Sequence, residues 1–330
     1  MEKKYDIIGI ATPGQDLVVE LENLPRDVVS SRMYDCSFQG GGWVATALCA
    51  AGNLGAKTSF LGVIGDDLLG NLIESDFEFN NVETSHLIKQ EGKRSNFCIC
   101  ITERSNKNKF LISRPPECND IQVSDIEKKY IQSAKMLHVG VVNDAVRYAA
   151  DLIHEADGLV SVDAAYYIPE IYNHYDIYDI LIGSEYFFEG LCKELGYDVS
   201  TLADEQKFEV MRYLQKKGPK IVIFTFGKDG SMGVYEDKTF KQTPMDVNVV
   251  DTTGAGDVYH GAFLTAYLKG MSIPECMRFA TGVSSIKCTK PGGRAGIPDL
   301  ETLEKFLSTG EIGEEKLQKR MAWYNKRVSI

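Results

Sequence analysis

The residues with the most specific chemistry lie in a glycine-rich turn between an apolar strand and a long helix. The run 251–257 (DTTGAGD) ends the strand, and the helix is predicted to begin near Asp257. Backbone N–H groups in such a turn, together with the positive end of a helix dipole, can stabilise phosphoryl oxygens. A carboxylate here would repel phosphate, but it could accept the proton of an incoming hydroxyl. Asp257 could equally be the helix N-cap, with the glycines forming a tight turn.

A second glycine-rich run, 40–73, places three successive glycines and Trp43 before a helix of small residues. Small residues permit close packing of a helix on a sheet, and glycines permit close approach of a substrate. Packing alone explains the alanines of the helix, but it explains the three glycines less well, so a substrate role is favoured. Neither run is a Walker loop, and no GxGxxG follows the first strand.

The elements that must position these runs form an alternating pattern. Apolar segments such as YDIIGI, TSFLGVIG, MLHVGVV and KIVIFTFG are typical of strands buried on both faces of a parallel sheet. Helical patterns lie between them, for example at 67–77, 144–156 and 257–269. Alternating strands and helices predict an α/β fold with a doubly wound, mostly parallel sheet flanked by helices.

Two segments interrupt the alternation and predict a small β-sheet lid, formed by about 14–40 and 94–116. Within the second, SNFCICITERSNKNKFLIS reads as two strands around a polar turn. No low-complexity linker or internal repeat separates independent units. The expected organisation is therefore a single domain, 1–330, that carries the lid.

The composition is that of an ordinary globular protein, with 44% hydrophobic and 25% charged residues among 330. The net charge of −11 argues against binding to nucleic acid or to an anionic membrane. Eight scattered cysteines without a CxxC pair indicate neither a disulfide framework nor a metal cluster. The start, MEKKYDIIGI, lacks the features of a signal peptide, so a cytoplasmic location is expected.

Together, the two glycine-rich runs resemble both signatures of the ribokinase-like (PfkB) carbohydrate kinases. The first signature matches 41–70, including GDDLLG, and the second matches 251–261. The resemblance covers nearly the whole chain and is closest to the branch of fructokinase-like and sulfofructose kinases. It implies ATP-dependent phosphorylation of a hydroxymethyl group on a sugar or sugar acid, with Mg²⁺ as cofactor. It also implies a homodimer formed through the lid.

The resemblance assigns Asp257 as the catalytic base and the amides of Gly254, Ala255 and Gly256 as the anion hole. Asp16 matches the aspartate that grips sugar hydroxyls, although a loop aspartate in an Asx-turn is the alternative. Arg114 could bind an acidic group of the substrate or could be a solvated charge at a strand end. His138 and Asn143 are further candidates without a firm motif. The expected substrate-binding residues are Asp16, Gly41, Gly42, Trp43, Thr46, Arg114 and Asp163.

The run KIVIFTFGKDGSMGV contains the segment that matches the nucleotide loop of the family, although it could also be an ordinary hairpin turn. Two further residues, on the helix at 274–287, match positions that flank adenine. The ATP-binding residues implied by the resemblance are Ser184, Thr225, Phe226, Gly227, Lys228, Gly230, Gly256, Thr281 and Ser285.

The sequence marks the metal sites less clearly than the substrate-binding and nucleotide-binding residues. Relatives carry an NxxE motif that organises Mg²⁺, whereas the matching segment here is SEYF at 184–187. Glu185 or Ser184 could act through water instead. Many relatives hold a monovalent cation between the catalytic turn and the closing loop, 287–298, so K⁺ is a possible ligand. The matching positions are Asp251, Thr253, Lys287, Lys290, Gly292 and Gly296.

Two alternatives to the sugar kinase remain open. A nucleoside kinase of the same fold would use Trp43 or Phe97 to stack on a base. A non-catalytic protein that senses sugars or nucleotides is the alternative of another class. The intact GAGD argues against a sensor, and the changed NxxE segment argues for one.

Overall fold

Strands and helices alternate along most of the chain in the computed structural model, which describes residues 3–23, 30, 32–105 and 109–328. The strands are β1 (Tyr5–Ile10), β2 (Gly14–Leu21), β3 (Met33–Gly41), β4 (Thr58–Gly65), β5 (Val82–Glu83), β6 (Leu87–Gln90), β7 (Asn96–Glu103), β8 (Lys109–Arg114), β9 (Ala134–Val139), β10 (Leu159–Ala164), β11 (Ile180–Ser184), β12 (Ile221–Thr225), β13 (Ser231–Tyr235) and β14 (Lys238–Gln242). The helices are α1 (Trp43–Asn53), α2 (Leu68–Phe79), α3 (Lys128–Gln132), α4 (Asp144–His154), α5 (Pro169–Tyr172), α6 (Glu185–Glu194), α7 (Asp204–Gln215), α8 (Ala255–Leu268), α9 (Ile273–Lys287), α10 (Leu300–Thr309) and α11 (Glu314–Lys326).

The main sheet has ten strands in the order β14-β13-β12-β11-β10-β9-β1-β4-β5, with β6 also paired to β4. From β4 through β12 on this path, neighbouring strands are parallel, and only β13 and β14 run antiparallel. The apolar runs of the sequence form these parallel strands because helices cover both faces of the sheet. The predicted doubly wound α/β sheet is therefore confirmed.

Helices pack on both faces of the main sheet and create two hydrophobic cores. On one face, α1, α8 and α9 contribute to a core with Phe60 and Ile223. On the other face, α4, α6 and α7 pack over Leu137 and Val222. Among the helices on the first face, α1 and α8 lie very close, since a Cβ on Gly261 would overlap the backbone oxygen of Ala47. This contact brings the two glycine-rich runs, which begin these helices, next to each other.

A separate four-stranded sheet forms the predicted lid, in the order β3-β2-β7-β8. Strands β2 and β7 are parallel, whereas β2 with β3 and β7 with β8 are antiparallel. The polar turn predicted between β7 and β8 falls on 106–108, outside the described residues. Among the helices that the structure describes, none has both the length and the apolar character needed to cross a bilayer.

Candidate active site

The glycine-rich turn at 251–257 leads into α8 with Gly254, not Asp257, as the N-cap. Gly254 has a φ of 73°, in the left-handed region that favours glycine, and a Cβ there would press against the backbone of Gly293. Asp257 is the third residue of the helix and lies in its first turn. The N-cap alternative for Asp257 is therefore wrong, because the chain bends into the helix three residues earlier.

The surroundings of Asp257 favour a carboxylate that accepts protons. Burial and, next, the charge of Asp163 raise the pKa of Asp257, while the positive charges of Lys287 and Arg294 act in the opposite direction. The side chain still keeps some exposure to solvent. A raised pKa makes the ionised carboxylate a stronger base, which suits the removal of a proton from a hydroxyl.

Asp163, in β10, belongs to a buried cluster with His138 and His260, and His260 follows Asp257 by three residues in α8. Its Oδ1 lies 3.6 Å from Nε2 of His260, and the ring of His138 lies 5.4 Å from that of His260. Burial lowers the pKa of His260 to about 3 and that of His138 well below its ordinary value. Both imidazoles are thus neutral near pH 7 and provide no positive charge for Asp163, whose own pKa is raised by burial to about 7. A negative charge on either of the carboxyls of Asp163 and Asp257 therefore disfavours ionisation of the other.

Asp16 and Gly41 meet where the lid joins the first glycine-rich run. A Cβ on Gly41 would overlap the Asp16 carboxylate, so glycine at this position leaves room for that side chain. Burial raises the pKa of Asp16 to about 6, against the charge of Arg294, which lowers it. Gly42 is the N-cap of α1, with a φ of 93°. Two of the predicted substrate-binding residues, Asp16 and Gly41, are therefore adjacent.

A cavity of about 350 Å³ opens beside Gly42 and Trp43. The indole of Trp43 packs against Tyr166, with 5.7 Å between the ring centroids. Asn143, a candidate from the sequence, lines this cavity as well. Sequence reasoning missed the other polar lining residues, Thr12, Asn96 and Asp120. Thr12 follows the carboxyl end of β1, and ligands usually bind at the carboxyl ends of the strands in such sheets. Its position after a predicted strand could therefore have identified Thr12 as a candidate site residue.

Two predicted substrate residues are buried. Thr46 is 2% exposed and accepts a hydrogen bond from Nε of Arg294 at 3.2 Å. Asp163 is 3% exposed and lies against His260. Neither residue lines the cavity beside Trp43, and a substrate role for either one stays a prediction. Arg114 donates to the backbone oxygen of Ser95 at 3.0 Å, and its contact with a substrate stays a prediction.

A second cavity of about 350 Å³ lies on the other side of the α8 N-terminus. Sequence reasoning missed its apolar wall, which is formed by Met245, Val247 and Val249 in the segment after β14. The apolar strand predicted before the turn at 251–257 is wrong, because this segment has no regular secondary structure. The predicted nucleotide residues that line this cavity are Thr225, Gly227, Lys228, Gly230, Gly256, Thr281 and Ser285.

Ser184 and Phe226 do not line the nucleotide-side cavity. The hydroxyl of Ser184 caps α6 by accepting from the backbone N–H of Tyr186 at 3.1 Å, and it donates to the backbone oxygen of Ala165. The ring of Phe226 packs edge-on against Phe188. These side chains are used for capping and for packing, and an ATP contact by either residue stays a prediction. Glu185 is exposed in the first turn of α6, and its role toward Mg²⁺ stays a prediction.

The predicted monovalent cation site is filled by ammonium groups of the chain itself. Nζ of Lys287 donates to the backbone oxygen of Asp251 at 2.9 Å. Nζ of Lys109, from the lid, lies 2.7 Å from the Asp251 carboxylate. The same carboxylate accepts from the backbone N–H of Thr253 and Gly292, each at 2.8 Å. With its acceptors already bonded to two lysines, this donor set does not fit an added K⁺.

The other residues assigned to that cation have different roles. The side chain of Lys290 pairs with Glu314 of α11 at 2.6 Å and leads away from Asp251. Gly296 lies so close to Lys287 that a Cβ there would overlap the Lys287 backbone oxygen. These positions shape the closing loop around Lys287.

A fully buried arginine in the closing loop holds the first glycine-rich run in place. Arg294 donates to Oδ1 of Asp76 at 2.8 Å and to the backbone oxygen of Gly41 at 2.9 Å. The amide of Gln39 supports the same loop by accepting from the backbone N–H of Arg294. Sequence reasoning missed Arg294 and Asp76, whose pairing depends on a contact between distant parts of the chain.

Comparisons with known proteins agree with this geometry. Residues 2–300 match the description "pfkB family carbohydrate kinase". A nucleoside kinase of Methanothermobacter thermautotrophicus is 24% identical over 317 residues, which are 93% of this chain and 97% of that protein. A 5-dehydro-2-deoxygluconokinase of Halalkalibacterium halodurans is 26% identical over 332 residues, covering 94% of this chain and 96% of that protein.

A solved structure shows the same fold. Arabidopsis thaliana ribokinase, complexed with ribose and ATP, superposes with a TM-score of 0.77 at 23% identity, covering 93% of this chain and 99% of that one. The match of residues 2–300 includes both glycine-rich runs, α8 and the nucleotide-side cavity. The chain therefore belongs to the pfkB family of carbohydrate kinases.

Proposed function

We propose that this protein transfers the γ-phosphoryl group of ATP to a hydroxymethyl group of a sugar or sugar acid. The observation that carries the proposal is the position of Asp257 in the first turn of α8, the helix that packs against α1. Gly256, one residue earlier, lines the nucleotide-side cavity, and Gly42 lines the cavity on the other side. A base, an anion hole and two binding spaces are thus assembled at one helix end.

In the proposed reaction, the Asp257 carboxylate accepts the proton of the substrate hydroxyl as the oxygen attacks the γ-phosphorus. The backbone N–H groups of Gly254, Ala255 and Gly256 and the α8 dipole stabilise the charge on the transferred group. Lys228, in the nucleotide loop, provides a cation that can bind ATP phosphates. Bound Mg²⁺ would neutralise phosphate charge, and Glu185 is the residue we propose to hold it through water.

For the acceptor, polar groups around the Trp43 cavity suit a small hydroxylated molecule. Thr12, Asn96 and Asn143 offer donors and acceptors, while Trp43 offers an apolar face on which a sugar ring can stack. The volume of about 350 Å³ is near the lower end of the range for small-molecule sites.

A nucleoside kinase is the second candidate, and the position of Trp43 favours it. The exposed part of the indole borders the cavity and could stack on a base as readily as on a sugar. The nucleoside kinase relative described above is consistent with this alternative.

The test is ADP release on a panel of hexoses, pentoses, keto-sugar acids and nucleosides, with Asp257→Asn as the matched variant. We expect one class of compound to stimulate ADP release, and we expect Asp257→Asn to lower kcat by about 10²–10⁴-fold while ATP still binds. Unchanged turnover in Asp257→Asn would refute the base assignment. Thermal stabilisation by a sugar or nucleoside without any ADP release would instead indicate a sensor.

We also propose that the protein forms a homodimer through the lid. Apolar side chains on its two edge strands are exposed, namely Met33, Tyr34, Phe110, Leu111 and Ile112. Pairing of two lids would remove this apolar surface from water. From the net charge of −11 we infer that nucleic acid is not a partner, and the cytoplasm stays the expected location of the protein.

A further inference from the structure

The last residue of α9, Lys287, is buried completely next to the catalytic turn. Its Nζ donates to the backbone oxygen of Asp251 at 2.9 Å. Burying an amino group is costly unless it is hydrogen-bonded and faces negative charge. The surroundings of Lys287 supply both, because the carboxylates of Asp251 and Asp257 lie close enough to act on it. Lys287 therefore has an electrostatic role at this turn.

The Asp251 carboxylate is itself held ionised by several donors. Lys109 lies 2.7 Å from it and also donates to the hydroxyls of Thr252 and Thr253, at 2.8 and 3.1 Å. The positive charges of Lys287 and Lys109 help to hold the pKa of Asp251 well below its ordinary value. Asp251 is therefore bonded to one lysine from α9 and to one lysine from the lid.

The same turn is joined to the end of α9 by its backbone. The N–H groups of Val250 and Asp251 both donate to the backbone oxygen of Cys288, at 2.8 and 3.1 Å. The side chain of Lys287 adds a third hydrogen bond between the end of α9 and this turn. The end of α9 therefore holds the start of the glycine-rich turn through both its backbone and a side chain. A bound cation coordinated by these carbonyl groups would hold the turn against α9 in the same way as the ammonium group does.

We infer that the ammonium group of Lys287 takes the place of a bound monovalent cation, so that the protein needs no K⁺. This inference rests on the proposed function for its catalytic consequence, but not for its binding consequence. A K⁺ ion and the ammonium group that share the Asp251 carbonyl oxygen would lie about 5 Å apart at ordinary ligand and hydrogen-bond distances. At an effective dielectric constant of about 20, that repulsion would weaken K⁺ binding on the order of a few hundredfold.

The first experiment uses the wild-type protein in KCl, NaCl or choline chloride at equal ionic strength and constant Mg²⁺. With a sugar that stimulates ADP release, we expect kcat and KM to agree within about twofold across the three salts. Activation by K⁺ of tenfold or more would overturn the inference. If no compound on the panel is phosphorylated, the proposed function fails, and thermal unfolding in the same salts still decides the inference. A saturable rise in Tm with K⁺, absent with choline, would contradict it.

The second experiment removes the ammonium group with Lys287→Ala. We expect a lower Tm in choline chloride, and a saturable recovery of Tm in KCl or NH₄Cl, because space at the Asp251 carbonyl then becomes available to a cation. The control is Lys290→Ala, in the same loop but paired with Glu314, which should respond to K⁺ no more than the wild type does. A Lys287→Ala protein that responds like the wild type contradicts the inference. If that variant does not fold, the wild-type titration decides alone.

Discussion

Arg294 and Asp76 form an ion pair inside the protein, with 2.8 Å between Nη1 and Oδ1. Asp76 accepts two further bonds through Oδ2, one from Arg327 at 2.8 Å and one from the backbone N–H of Gly40 at 2.7 Å. The Asp76 carboxylate, on α2, is therefore bonded to the closing loop, to Arg327 after α11 and to the first glycine-rich run. The substrate side of the active site depends on this single buried anion.

Replacing Asp76 with Asn should destabilise the protein strongly. The variant keeps the shape of the side chain but removes the carboxylate that pairs directly with the buried guanidinium groups of Arg294 and Arg327. Breaking a buried ion pair in this way costs about 3–5 kcal/mol in the free energy of unfolding. Urea denaturation should show this loss, whereas Glu155→Gln, which removes an exposed pair with Lys128, should cost less than about 1 kcal/mol. Equal effects of the two substitutions would contradict the assigned role of Asp76.

Adding one methyl group at Gly41 should impair sugar binding selectively. The new Cβ in Gly41→Ala would overlap the Asp16 carboxylate and displace it from the substrate. A lost hydrogen bond to a charged group corresponds to a rise in the sugar KM of roughly tenfold to a hundredfold. The KM for ATP should change less than about twofold by the same steady-state assay, because the cavity proposed for ATP is the other one, so a matching rise would count against this prediction. The control is Gly313→Ala, where the added Cβ comes no nearer than 3.9 Å to another residue.

The pH dependence of kcat/KM should reflect the raised pKa of Asp257. Only the ionised carboxylate accepts a proton, so kcat/KM should fall as the pH is lowered through that pKa. The midpoint should lie above the ordinary aspartate value of about 3.9, because burial and the charge of Asp163 disfavour ionisation.

Replacing Asp163 with Asn removes the neighbouring charge, so the acid limb of the same profile should move to lower pH. Asp176→Asn is the matched control, since Asp176 pairs with Arg147 at the surface. Superimposable acid limbs for Asp163→Asn and the wild type would exclude the coupling between Asp163 and Asp257.

The proposed lid dimer predicts that a charge at Leu111 will produce a monomer. Leu111 is 65% exposed on the edge strand β8, where an aspartate would oppose burial against a second lid. Sedimentation velocity should show a shift from dimer to monomer for Leu111→Asp. Val123→Asp provides the control, because Val123 is exposed but lies outside the lid. A wild-type protein that sediments as a monomer would remove the basis for this proposal.

Much of the fold and the nucleotide side of the site was predictable from the sequence because the signals are local. Buried parallel strands need continuous apolar runs, and the turn into α8 needs glycine at a left-handed position such as Gly254. The direction of a side chain is a tertiary property. Thr46 was placed in the substrate site, but it faces Arg294, a residue 248 positions away in the chain. Ser184 was placed at the nucleotide, but its hydroxyl caps a helix.

The contact between Gly261 and Ala47 constrains how this enzyme can change its substrate. Because α1 and α8 are in backbone contact there, any side chain larger than hydrogen at position 261 would separate the two helices that carry the glycine-rich runs. Substitutions that change substrate specificity are therefore expected in the lid strands and among the polar residues around Trp43, which lie outside this contact.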